Sequence, residues 1–156
     1  MELVAAAVGV VDITARASSK AWELCGIWKD APRDIFQLRD EIDRSATFFL
    51  ALHDGLVRRS KSRPDCQDLA AADADIEFQS LLVEGCDAIE GLQKIIDDLI
   101  APCQEEPAST TPAAKLSIPK RRKFVWLRRL KEVKKLKNTL NHVTSQIGFR
   151  VAFLNL

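Results

Sequence analysis

The chain has no tyrosine, only six glycines and six prolines, and a single methionine in 156 residues. So few turn formers and so few β-favouring aromatics point away from a sheet protein. Cysteine is sparse as well. Cys25, Cys66, Cys86 and Cys103 stand far apart with no Cys-x-x-Cys pair, so their spacing provides neither a zinc nor a redox motif. Free thiols in an intracellular compartment are the expected state. No long apolar run is present. The most apolar stretch, MELVAAAVGVVDITARAS, begins with Glu2 and has no basic residue before Arg16, unlike the positively charged front of a secretory signal. Asp12 breaks it well before the roughly 20 apolar residues a transmembrane helix needs. It is nonetheless too apolar to stand in water, so other elements are expected to cover it.

Catalytic signatures are missing too. There is no glycine-rich phosphate loop, nucleophile elbow or paired His–carboxylate metal motif. His53 and His142 are isolated and read as surface or satisfied histidines, and Asp97-Asp98 reads as water-facing. No enzyme activity, metal or cofactor is expected.

What the chain does have is charge, unevenly placed. The net charge is +1, yet Pro64 to Glu106 carries twelve acidic residues and one basic, and Lys115 to Lys137 carries eleven basic and one acidic. Neighbouring segments of opposite sign point to mutual packing, to an external anionic partner, or to both in turn.

Helical periodicity accounts for most of the rest. Ile35, Leu38, Ile42, Ser45, Phe49, Leu52 and Leu56 recur at steps of three and four, and Ala31-Pro32 is a suitable opening, predicting a helix over about 32–60. Pro64 then disfavours helical geometry at Arg63. Ile76, Leu82, Cys86, Ile89, Leu92, Ile96 and Leu99 predict a third helix over about 69–101, with Gly85 and Gly91 marking a kink or close helix contact and Pro102 a stop. EEPASTTPAAKLSIP reads as a mobile linker over about 104–119. Trp126, Leu130, Val133, Leu136, Leu140, Val143, Ile147, Val151 and Leu154 predict a last helix over about 120–156. The Ala-rich opening predicts a first helix over about 2–28, with Val4, Val8, Val11, Ala15 and Ser18 as its apolar or small face. The expected fold is one all-α domain, a four-helix bundle of long helices, in which the first helix is buried against the other three. The apolar ending GFRVAFLNL, without a cap, is expected to be continued by a larger chain.

The order of these segments resembles a known family. The apolar opening helix is followed by KDAPRDIFQLRDEI, then FQSLLVEGCDAIEGLQKIIDDL, a basic run, a Trp and KEVKKLKNTLNHVTSQIGFRVAF. Across nearly the whole chain this is similar to the HeLo-like N-terminal domain of fungal NLR-type (STAND) receptors and related cell-death proteins. The resemblance implies a helical bundle acting in programmed cell death, fungal innate immunity and heterokaryon incompatibility. It implies a cytoplasmic protein that homo-oligomerises on a signal from a C-terminal or separate sensor domain and then relocates to the plasma membrane and permeabilises it. The chain carries no nucleotide-binding, kinase-like or amyloid-motif region, so the resemblance does not give the trigger.

Two sets of residues follow. Leu3, Val4, Val8, Gly9, Val10, Val11 and Ile13 are either core or a membrane-inserting element, and the small residues Ala5 and Gly9, four apart, have the spacing of close helix approach. Lys120, Arg121, Arg122, Lys123, Arg128 and Arg129 are either a solvated face neutralised by the acidic helix or a site for anionic lipid head groups, where each basic residue contributes about 1 kcal/mol. Trp126 is either core or an interface anchor. A calmodulin-type partner also suits a basic amphipathic helix. One aromatic in a basic stretch gives little for base stacking, so no nucleic acid is expected. The alternative function is a helical scaffold or adaptor for homotypic protein–protein interaction that never touches lipid.

Overall fold

A computed structural model describes residues 2–62, 69–101 and 118–154, with side chains over 3–62, 75–101 and 121–152. They form four helices, α1 (Glu2–Ile27), α2 (Arg33–Ser62), α3 (Leu69–Ile100) and α4 (Ile118–Leu154), and among the described residues there is no strand. The chain is an all-α four-helix bundle. Residues 104–117 of the expected 104–119 linker, the Pro64 and Pro102 stops, Cys66, Cys103 and the Lys120 and Leu154 side chains lie outside these residues, whereas Ile118 and Pro119, expected in the linker, already belong to α4.

Just past the end of α1, the Trp28 N–H still donates to the Leu24 carbonyl at 2.8 Å. The chain then turns on an Ala31 N–H to Trp28 carbonyl bond of 3.2 Å, and Ile35 N–H donates to the Pro32 carbonyl at 3.0 Å. Proline suits this place, since its missing N–H would have no helical partner in the first turn. α2 accordingly begins one residue later than its periodicity predicts.

α1 packs on both α2 and α3, and α3 packs on α4. Ser18 and Trp22 of α1 meet Asp43 of α2, while Arg129 and Arg150 of α4 meet Asp98 and Glu77 of α3, so both pairs run antiparallel. α3 approaches α4 closely at its glycines. A Cβ at Gly91 would fall 2.9 Å from Leu136 Cδ1, and one at Gly85 would fall 3.3 Å from Val143 Cγ1. The glycines therefore serve contact between helices.

The α2 stripe is buried along its full expected length. The α4 stripe is buried at Trp126, Val133, Leu140, Val143 and Ile147 and partly buried at Leu130, Leu136 and Val151. Two faces differ from expectation. In α3, Ile76 is exposed and Phe78 takes its place inside. In α1 the buried line is Ala7, Val10, Thr14, Ala17, Ala21 and Leu24, with Ile13 and Cys25 beside it, while Val8 and Ala15 point outward. The first turns of α1 are apolar all round, so they have no polarity contrast to set a phase. The phase is fixed further along, where Arg16, Glu23 and their neighbours must face water.

Candidate functional site

The residues expected to enter lipid occupy three different environments. Val10 and Ile13 are core, and Leu3, Val4 and Val11 pack on it from the rim. Val8 is 50% exposed, and a Cβ added to Gly9 would meet nothing within 4 Å. Ala5 is exposed as well, so the Ala5–Gly9 spacing is not used for packing inside the bundle. Thr14, the one polar side chain buried in this half, donates its hydroxyl to the Val10 carbonyl one turn back and so leaves no polar atom unsatisfied.

Beyond Ala17 the same helix is fastened by polar contacts. Asp43 of α2 accepts from the Ser18 hydroxyl and, at 2.7 Å, from Trp22 Nε1. The Arg39 guanidinium lies 4.1 Å from the centroid of the Trp22 ring and 5.5 Å from that of Phe36, within cation–π range of both. Burial pushes the Cys25 thiol above its ordinary pKa, against the opposing pull of Arg39. Trp28 closes the helix, 3% exposed.

The basic run of α4 divides between two faces. Arg121, Lys123, Arg128, Lys131, Lys134 and Lys135 are exposed and make no ion pair among the described residues. Arg129 pairs with Asp98 and Glu132, each at 2.9 Å, and Lys137 pairs with Glu41 of α2 at 3.2 Å. The acidic helix thus takes up little of this charge directly, although it packs alongside. Arg122 corrects the expectation of a solvated head-group ligand. It is 2% exposed, and its Nε donates to the Leu99 carbonyl at 3.0 Å, one residue before the end of α3. A cation there complements the negative end of the helix dipole. Burial lowers its pKa from the ordinary guanidinium value, and its Nη2 is buried without a partner. Trp126, one turn on, is 1% exposed. It is core in this bundle and presents no ring to an interface.

The sequence reading passed over Phe124 and Leu127, which are 63% and 59% exposed in the middle of the basic face. Their signal was available, because they sit three apart and off the Trp126–Val133 stripe, Phe124 directly opposite it.

Concavities among the described residues include open clefts. One of about 360 Å³ lies between α2 and α4, lined by Glu41, Arg44, Ser45, Phe48, Asn141 and Thr144, and another of about 400 Å³ lies beside Gly91 and Arg129. His142 is exposed and His53 lies 3.4 Å from Asp54. Among the described residues no three His, Cys, Asp or Glu side chains come together as a metal site, and no helix is long and apolar enough to cross a membrane. The arrangement offers surfaces: an apolar helix end with Val8 and Gly9 facing outward, and a cationic ridge with an apolar crest. No family model, curated protein or solved structure matches the chain. The resemblance to HeLo-like domains therefore stands on the quoted segments alone.

Proposed function

We propose that the chain is a cell-death execution and signalling domain, cytoplasmic at rest, that oligomerises when brought together by a sensor and perturbs the plasma membrane through the first half of α1. The reading assigns it no catalysis and no cofactor. The observation that carries it is the packing of residues 3–15, where a nearly uncharged segment holds on by Ala7, Val10, Ile13 and Thr14 while Val8 and Gly9 face outward. Val10 and Ile13 are the large fully buried contributors, at roughly 1.5–3 kcal/mol each. That is a small barrier to detachment.

The length of the segment limits what it does in lipid. Residues 3–13 as a helix measure about 16 Å, about half the 30 Å hydrocarbon core. Detached ends therefore wedge into one leaflet, and damage requires several copies together.

The test is dye release from anionic vesicles after the full chain is clustered through a fused dimeriser. Val8 is half exposed, so Val8→Glu should leave the circular dichroism spectrum unchanged while suppressing release, since a charge deep in a bilayer costs about 2.5–3.5 kcal/mol. Release by clustered wild type that is unaltered in Val8→Glu refutes insertion of this segment. The adaptor reading is favoured by Trp22, 52% exposed on the α1–α2 face, because large exposed aromatics are typical of protein contacts. It is supported instead if clustered wild type releases nothing and self-association is lost in Trp22→Ala.

A further inference from the structure

We propose that Phe124 and Leu127 are the lipid-contacting crest by which the intact bundle docks on an anionic leaflet, before any helix leaves it. The proposal rests on the membrane reading above and assigns the docking to α4 and not to α1 or Trp126.

Single exposed apolar side chains are ordinary. Here two large ones lie together, 63% and 59% exposed, in a stretch whose other outward residues are nearly all cationic. The helical repeat places Phe124 and Lys131 on the line opposite the buried Arg122, Trp126 and Val133, with Leu127 about 60° to one side of Phe124. Arg121, Arg128 and Lys135 flank that line on one side, and Lys123 and Lys134 on the other. The single acid within Lys115–Lys137, Glu132, has its carboxylate engaged by Arg129. The result is a narrow apolar strip between two rows of positive charge on a convex surface. A helix lying in the plane of a lipid interface presents this pattern, with the apolar line entering the acyl boundary and the flanking cations at head-group depth.

The charge identifies the occupant. A second copy placed on this ridge would bring cation against cation. Two apolar residues are also too short a stripe for a helix pair, which needs contacts over several turns. An acidic peptide would use the charge but has no need of Leu127. An anionic leaflet uses both, because its surface potential draws the flanks and its acyl boundary accepts the crest.

The experiment is sedimentation of the full chain with phosphatidylcholine vesicles, with and without phosphatidylserine, and parallel dye release after clustering. Wild type should bind the anionic vesicles and not the neutral ones. Phe124→Ser with Leu127→Ser should bind about tenfold more weakly or worse, since two large apolar side chains lose their burial. Phe124→Trp with Leu127→Trp should bind at least as well as wild type, because indole favours the interface. All these positions are exposed, so a folding failure would show at once as a changed circular dichroism spectrum, and the Trp pair then carries the test alone. Wild-type binding by the Ser pair overturns the proposal, as does a shift in its oligomeric state without lipid, which would mark a protein contact. Dye release that persists in the Ser pair removes this docking role and leaves permeabilisation standing. Docking that needs the crest, with no release on clustering, does the reverse.

Discussion

The two halves of α1 belong to one helix but are held by different means. Residues 3–15 bury one stripe of small and medium apolar side chains and have no side-chain bond to another helix among the described residues. Residues 17–28 bury Leu24 and Trp28 and are linked to α2 through Ser18, Trp22, Asp43 and Arg39. Continuous helix therefore does not mean uniform stability. Local opening follows the density of buried contacts, so the first half of α1 should open more readily than the second.

Truncating one buried anchor of each half should expose the contrast most strongly. Trp28→Ala is expected to lower the unfolding free energy by about 3–5 kcal/mol, and Val10→Ala by about 1.5–3 kcal/mol. Chemical denaturation of both variants checks this, and equal losses would mean that the halves are equally fastened. A smaller effect is expected at the polar clamp. Asp43→Ala removes the acceptor for Ser18 and Trp22, yet Trp22 is half exposed and its N–H can turn to water, so the loss should be about 1 kcal/mol. Amide exchange should sharpen the result, with protection falling over residues 17–28 and changing little over 3–15.

The smallest effect concerns the thiols. Cys25 in the clamped half and Cys86 on α3 both have their pKa raised, chiefly by burial. The folded state thus keeps them protonated to higher pH than the unfolded chain does. Their contribution to stability is complete below the unfolded thiol value of about 8.5 and is lost as pH rises above it. Mapped alkylation at pH 8 should find both slow in native protein and fast in urea.

The elements that could be read from sequence were those with polarity contrast. Between Leu38 and Ser45 the core positions are separated by Arg39, Asp40, Glu41, Asp43 and Arg44, which sets the phase of the stripe, and the structure buries the whole line from Ile35 to Leu56. The start of α1 has no such contrast, so the face chosen from Val4, Val8 and Val11 was out of phase with the buried one. Arg122 was concealed by its neighbours. In KRRK nothing local separates the one guanidinium that folds under α3 from three cations that resemble it. Phe124 and Leu127 lie off the stripe that Trp126 begins, and the cations around them drew attention to charge and away from two apolar side chains on the outer face.

The notch at Gly91 has a mechanical consequence. Leu136 sits where a Cβ would be, and Val143 faces Gly85 two turns along. A one-turn slide of α4 along α3, about 5.4 Å, would have to lift both side chains over neighbouring backbone at the same time. The pair is keyed like a bolt in two slots, free to separate sideways but not to ratchet lengthwise. Lengthwise motion passed through this bundle must therefore carry α3 and α4 together, while α1 packs on the α3 member of the pair.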